Sequence, residues 1–139
     1  MIREAQAVFV DTGAWIALAL TKDPYHDRAR QAWLELAQSG ARLHTSVCVV
    51  LETFTFLDRQ TTRDVAIAWR QSLATIPRLR VWPVTPRDLA GAWVFFDRAD
   101  LHKLSAVDAV SFVLMRRAKI RFAFAFDHHF ATAGFRLVG

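Results

Sequence analysis

Four acidic residues, Asp11, Glu52, Asp108 and Asp127, occupy sequence contexts that could do chemistry. Asp11 ends the apolar run Val8-Phe9-Val10, and Thr12 and Gly13 then lead into an apolar segment with helical spacing. Asp127 follows the run Phe122-Ala123-Phe124-Ala125-Phe126 in the same manner. Glu52 interrupts Val47-Cys48-Val49-Val50-Leu51, surroundings in which an unpaired carboxylate is costly or becomes neutral. Asp108 stands third after Ser105, near the start of a further helix-like segment. Carboxylates gathered in one crevice repel one another unless a divalent cation neutralises them. Oxygen-only ligation suits Mg²⁺ or Mn²⁺, hard ions that retain water and are often completed by substrate phosphate. An ion so held can activate water for attack on phosphorus, so the pattern points to metal-assisted phosphodiester hydrolysis.

Each acid also has a simpler reading. Asp11 or Thr12 is placed to cap the following helix, and Asp127 to stabilise a turn after its strand. Asp108 has capping-box spacing, although that box prefers Glu or Gln. Glu52 could pair with one of the arginines. Taken singly these readings are adequate, but they do not explain why four acids should meet at one edge.

Whether they meet depends on the elements that carry them. The opening strand spans about Ala7 to Asp11 and its helix Gly13 to Leu20; a helix started by Lys22-Asp23-Pro24 runs to about Gln38 and stops at Ser39-Gly40. A brief strand at Arg42 to His44 precedes a helix opened by Thr45 or Ser46 that reaches Arg59. Thr61 to Ile76 has helical periodicity up to Pro77, and Leu79 to Val84 reads as a strand, with Pro83 marking an edge or its end. Thr85-Pro86-Arg87-Asp88 combines an N-cap, a first-turn proline and an acid three after the cap, which predicts a helix to about Phe96. Ser105 opens a helix to about Ala118, Phe122 to Phe126 forms a buried strand, and Phe135 to Val138 a final edge strand. Strands alternating with helices predict a three-layer α/β/α domain with a central, mainly parallel sheet. In such a sheet Asp11 and Asp127 fall at the carboxyl edge where ligands bind, and the helices carrying Glu52 and Asp108 start from that edge.

Composition fits one domain over residues 1–139: the chain is 53% hydrophobic, enough for a sizeable core. No apolar run reaches the roughly 18 residues needed to span a bilayer, and Met1 to Gln6 is too polar for a signal peptide, so a cytoplasmic location is expected. The single cysteine, Cys48, excludes an intrachain disulfide and a thiolate metal cluster, and its apolar neighbours predict a buried structural thiol. Net charge is +5, from 18 basic and 13 acidic residues, which is compatible with a nucleic-acid partner. The densest basic cluster, Arg116, Arg117, Lys119 and Arg121, lies at the far end of the Asp108 helix, where cations answer the helix dipole. Arg98, His102 and Lys103, in the loop entering that helix, are better candidates for phosphate contacts, though a solvated loop explains them too.

The segments Val10-Asp11-Thr12, Thr45-Ser46 through Leu51-Glu52, Leu104-Ser105 through Val107-Asp108-Ala109, and Phe126-Asp127-His128-His129-Phe130 together resemble the four acidic motifs of PIN-domain nucleases, in order and in approximate spacing. The resemblance spans essentially the whole chain, whose length is similar to that of VapC-type toxins of toxin–antitoxin pairs. It implies Asp11, Glu52, Asp108 and Asp127 as ligands of Mg²⁺ or Mn²⁺, with the Thr12 hydroxyl steadying the site. It further implies an endoribonuclease acting on RNA, a homodimer, and a cognate antitoxin protein. The family often carries a further acid just after the last motif, where this chain has His128 and His129, each placed to hydrogen-bond substrate or to cap the last turn. A PIN-type nuclease acting on DNA or in RNA processing, and a non-catalytic RNA-binding module, are the alternative readings; the intact set of four acids argues against the last. The five tryptophans, Trp15, Trp33, Trp69, Trp82 and Trp93, are divided in expectation between the core and exposed grooves.

Overall fold

A computed structural model describes residues 6–139. Met1 to Ala5, most of the segment read as too polar for a signal peptide, lie outside the described residues. No helix among the described residues is long and apolar enough to cross a membrane.

The chain begins with β1 (Ala7–Val10), α1 (Thr12–Ala19) and α2 (His26–Ser39), then continues through β2 (Arg42–Ser46), α3 (Val47–Gln60) and α4 (Arg63–Ser72). It completes the domain with β3 (Leu79–Trp82), α5 (Pro86–Ala92), α6 (Ala106–Ala118), β4 (Phe122–Phe124), α7 (His129–Thr132) and β5 (Arg136–Val138). The five strands form one sheet in the order β3-β2-β1-β4-β5, and every neighbouring pair is parallel. The sheet is therefore wholly rather than mainly parallel, since successive strands are joined by helical segments that carry the chain back to the amino edge of the sheet. β1 lies at the centre, and its Val8, Phe9 and Val10 are buried, as a strand covered on both faces must be.

Local signals account for most boundaries. Gly40, at φ 68°, ends α2 in the left-handed conformation that glycine adopts without steric cost. Ser46 and Thr62 cap α3 and α4 by accepting the amides of Val49 and Val65. Thr85 and Asp88 form a full capping box at the start of α5.

Several boundaries differ from the sequence reading. β2 extends to Ser46 because its ladder with β3 continues to the Ser46–Trp82 pair. The helix from Thr61 towards Ile76 stops at Ser72 and tightens into a 3₁₀ turn at Leu73–Thr75. There the Ser72 and Thr75 hydroxyls donate to the carbonyls of Trp69 and Ser72 and compete with the helical ladder. The helix from Pro86 likewise becomes 3₁₀ at Trp93–Asp97, a bulky run with weak helix preference. β4 ends at Phe124, not Phe126: the Asp11 amide takes the Phe124 carbonyl, and beyond Asp11 the neighbouring chain has become α1. Asp127 consequently sits in a loop three residues past the strand.

Trp15 and Trp69 are buried and pack edge-to-face, with Trp33 beside Trp15, whereas Trp93 is exposed. Cys48 is half-buried rather than buried, because the face of α3 it shares with Glu52 borders an open groove. Burial and the nearby Glu52 carboxylate push its thiol pKa up.

Candidate active site

The carboxyl edge of the three central strands, β2, β1 and β4, builds the site. Asp11 follows β1 directly and is 4% exposed; its side chain makes no cap hydrogen bond to α1. Its floor is fixed from below: the Thr45 hydroxyl donates to the Val10 carbonyl at 3.0 Å and accepts from the Trp15 indole at 3.3 Å. Thr45 is fully buried, so these bonds set the direction in which β1 releases Asp11. The sequence names Thr45 only as a possible cap, because its partners lie 35 and 30 residues away.

α3 enters from β2 and carries Glu52 in its second turn, half-buried in a groove with Cys48, Leu51, Phe56, Arg59 and Val107. Glu52 forms no ion pair among the described residues, so the arginine-paired reading finds no partner. α6 brings Asp108 to the same edge. Ser105 caps this helix by accepting the Asp108 amide at 3.0 Å, while the Asp108 carboxylate turns inward, 6% exposed. Asp127 completes the set and lies within hydrogen-bonding reach of Asp108.

The electrostatics are those of crowded carboxylates. Burial pushes the Asp11 pKa up to about 7, and the Glu52 and Asp127 charges add to the rise against a partial offset from the Thr12 amide. Burial also pushes Asp108 up to about 8, helped by Asp11, by Asp127 as both charge and hydrogen-bond partner, and by Glu52. Asp11 Oδ1 and Thr12 Oγ1 are buried without a hydrogen-bond partner among the described residues. A buried carboxylate oxygen left unpaired beside other acids fits a divalent cation, which would satisfy the oxygen and relieve the repulsion together.

The basic candidates are placed unequally. The Arg98 guanidinium is bound by both Asp100 oxygens, at 3.0 and 2.7 Å, and by the Thr132 carbonyl, so it secures its own loop. His102 is exposed, and Lys103 is exposed with φ 58°, a left-handed turn directly before α6. Arg117 pairs with Asp88, and Arg116 lies over the Phe95 ring and donates to the Ala133 carbonyl. These two arginines are structural, as their position in the sequence predicts.

His128 and His129 do not cap α7 with their side chains. His129 is buried, with Nε2 2.6 Å from the His102 carbonyl and Nδ1 2.7 Å from Asp127 Oδ1. His128 is exposed. Two adjacent histidines after a strand-end acid were the available signal; the burial of the second one was not visible in the sequence.

A PIN domain model matches residues 8–136 of the chain. The 23S rRNA-specific endonuclease VapC20 of Mycobacterium tuberculosis is 38% identical over 129 residues, which cover 92% of this chain and 95% of that protein. The crystal structure of M. tuberculosis VapC20, a toxin that cleaves the sarcin-ricin loop, aligns with a TM-score of 0.81 at 36% identity, covering 92% of this chain and 95% of that one. VapBC2 from Rickettsia felis, solved with a DNA fragment from its promoter, aligns with a TM-score of 0.68 at 12% identity over 95% of this chain and 97% of that chain, a likeness of fold alone.

Proposed function

The chain belongs to the PIN-domain family, and from that premise we propose that it is a metal-dependent endoribonuclease, the toxin of a type II toxin–antitoxin pair, acting on a structured ribosomal RNA element. One observation carries the reading: a buried, unpartnered Asp11 oxygen set among acids whose crowding raises both Asp11 and Asp108. A protein that needed these groups only for its fold would have little reason to bury mutually repelling carboxylates. The 38% identity to a 23S rRNA-specific endonuclease across nearly the whole chain supports the substrate class.

In this reading Asp11, Glu52, Asp108 and Asp127 hold Mg²⁺ or Mn²⁺. When bound, the ion supplies an activated water and neutralises charge on the scissile phosphate. The protein does the remainder by placement. Thr45 and Trp15 fix the backbone from which Asp11 projects, and Ser105 holds the α6 terminus that carries Asp108, while the buried Thr12 hydroxyl, without a partner among the described residues, is left to steady the site once the ion is bound. Lys103 and His102, exposed on the loop before α6, meet the RNA backbone, with Arg98 bracing that loop through Asp100 and Thr132.

The open groove beside Glu52, with Leu51 and Phe56 exposed along α3, accommodates an apolar antitoxin segment that reaches the acids and silences them. A homodimer is part of the same proposal, with exposed Leu89, Trp93, Val94 and Phe96 as its apolar contact. Sedimentation as a monomer at tens of micromolar would remove the dimer without touching the nuclease reading.

The deciding experiment incubates purified protein with 23S rRNA and with single- and double-stranded DNA, with added Mg²⁺ or Mn²⁺ or with excess EDTA. Metal-dependent cleavage of the RNA at a discrete position is expected, and it should disappear in Asp11→Asn. Equal cleavage of DNA would overturn the substrate assignment, and undiminished cleavage in EDTA would overturn the metal assignment.

A further inference from the structure

Tyr25, in the turn between α1 and α2, stacks on Phe126: the ring centroids are 4.5 Å apart and the planes 6° from parallel. Phe126 directly precedes Asp127, so the stack stands one residue from an acid of the proposed nuclease centre. The inner ring is anchored in the core, because Phe126 meets the fully buried Phe124 edge-to-face at 6.1 Å. The outer ring is held through its backbone. Pro24 has its φ fixed by its own ring, the Tyr25 amide donates to Asp23 Oδ1 at 2.8 Å, and the Tyr25 carbonyl accepts the Ala29 amide at 2.8 Å.

Arg28 Cζ lies 5.3 Å from each of the two ring centroids. Equal distances to stacked rings place the guanidinium beside the pair and not on its outer face, and Nη2 is tied there to the Gly139 carbonyl at 2.9 Å. Tyr25 therefore keeps one aromatic face that neither Phe126 nor Arg28 covers, and the residue is 41% exposed. A rigid aromatic face with a cation at its edge, next to a phosphodiester-cleaving centre, suits a nucleobase better than an apolar protein segment. Every base has a π-face that stacks on tyrosine whatever its identity, and the flanking guanidinium can meet the phosphate of the same strand. Stacking needs a base released from its neighbours, so the face selects an unpaired or extruded nucleotide over one inside a duplex.

We propose that Tyr25, backed by Phe126 and flanked by Arg28, is a stacking platform for one unpaired base of the RNA near the scissile phosphate. The proposal rests on the nuclease reading for its substrate class. It makes Tyr25 a substrate-binding residue that holds the strand over the acids and takes no part in the bond-breaking step.

The test separates stacking from charge by fluorescence anisotropy, with a short labelled oligoadenylate and with an abasic ribose–phosphate strand of the same length. Both are titrated in Mn²⁺ into Asp11→Asn protein carrying native Tyr25, Tyr25→Phe or Tyr25→Leu, and circular dichroism checks that each variant folds. Tyr25→Leu should weaken oligoadenylate binding about tenfold or more, Tyr25→Phe should stay within about twofold of the parent, and the abasic strand should bind all three alike. In the otherwise native protein, Tyr25→Leu should raise KM for 23S rRNA by a similar factor while kcat stays within about twofold. Oligoadenylate that does not bind the parent, a loss equal on the abasic strand, or an unchanged KM would overturn the platform. Binding that ignores Tyr25→Leu would also overturn it and leave the free face to a protein partner. Base-dependent binding through Tyr25 without any cleavage of 23S rRNA by the native protein would sink the nuclease reading and spare the platform; cleavage with Tyr25-independent binding would do the reverse.

Discussion

Asp88 and Asp108 occupy the same place relative to their helix caps, third after Thr85 and third after Ser105, yet only the Asp88 carboxylate turns back to its cap. Asp88 accepts the Thr85 amide at 3.0 Å and pairs with Arg117; Asp108 leaves Ser105 to cap α6 alone and points at Asp11 and Asp127. Burial raises Asp108 with nothing to offset it, whereas at Asp88 the Thr85 contacts and Arg117 outweigh burial and hold the carboxyl below its usual range.

This contrast predicts opposite outcomes for one chemical change. Asp88→Asn removes one of the two acceptor oxygens and the charge that Arg117 pairs with, and should lower stability by about 0.5–2 kcal/mol while cleavage persists. Asp108→Asn removes one of several repelling charges, so metal-free stability should be unchanged or raised and cleavage should collapse. Wild type should gain melting temperature on Mn²⁺ addition, and Asp108→Asn should lose most of that gain. Paired thermal melts and cleavage assays decide the matter: an Asp108→Asn protein that is destabilised without metal, keeps its Mn²⁺ shift and still cuts RNA would take Asp108 out of the site.

Stability without metal should depend on pH in the sense opposite to that of a salt-bridged aspartate. Asp11 and Asp108 rise from 3.8 to about 7 and about 8 on folding, so the folded state binds more protons than the unfolded state between these values. Their contribution is complete below pH about 4 and is lost as the pH climbs through 7 to 8. Melting temperature in EDTA should therefore fall from pH 5.5 to 8.5, less steeply in Asp108→Asn, and saturating Mn²⁺ should flatten the wild-type curve. Equal slopes for the two proteins in EDTA would show that the Asp108 carboxyl is not raised on folding.

The chemistry of the cut ends follows from the nucleophile. Water activated at an acidic metal site does not use the ribose 2′-hydroxyl, so products should carry 5′-phosphate and 3′-hydroxyl ends. End-labelling after phosphatase treatment reads this directly, and 2′,3′-cyclic phosphates would rule the mechanism out.

Thr45 offers a test of placement without touching the acids. Thr45→Val keeps the shape but leaves the Trp15 indole N–H and the Val10 carbonyl unpaired in the core, at a cost of about 1–3 kcal/mol. If Thr45 aims Asp11, folded Thr45→Val protein should bind Mn²⁺ less tightly as well as melt earlier; a lower melting temperature with unchanged Mn²⁺ affinity would limit Thr45 to stability.

The alternation of strands and helices, the capping residues and the strand-end position of Asp11 were legible in the sequence because all are local: hydrophobic period, cap spacing and glycine at a helix end act within a few residues. Their order along the chain, together with βα connectivity, was enough to send four acids towards one edge, and the resemblance of the four acidic motifs pointed to the family. Where β4 stops was not legible, since its ladder ends only because β1 turns into α1 at Asp11. Nor could local spacing separate Asp88 from Asp108, or His129 sealed beneath the His102 carbonyl from His128 in solvent. In each of these pairs the residues share a sequence signature, and the difference comes from which distant group the packed fold sets against them: an arginine on α6 for Asp88, a second and third carboxylate for Asp108. Charge and burial at those positions are properties of contacts between elements far apart in sequence, so only the tertiary structure decides whether a capping-box aspartate stabilises a helix or faces other acids across a cleft.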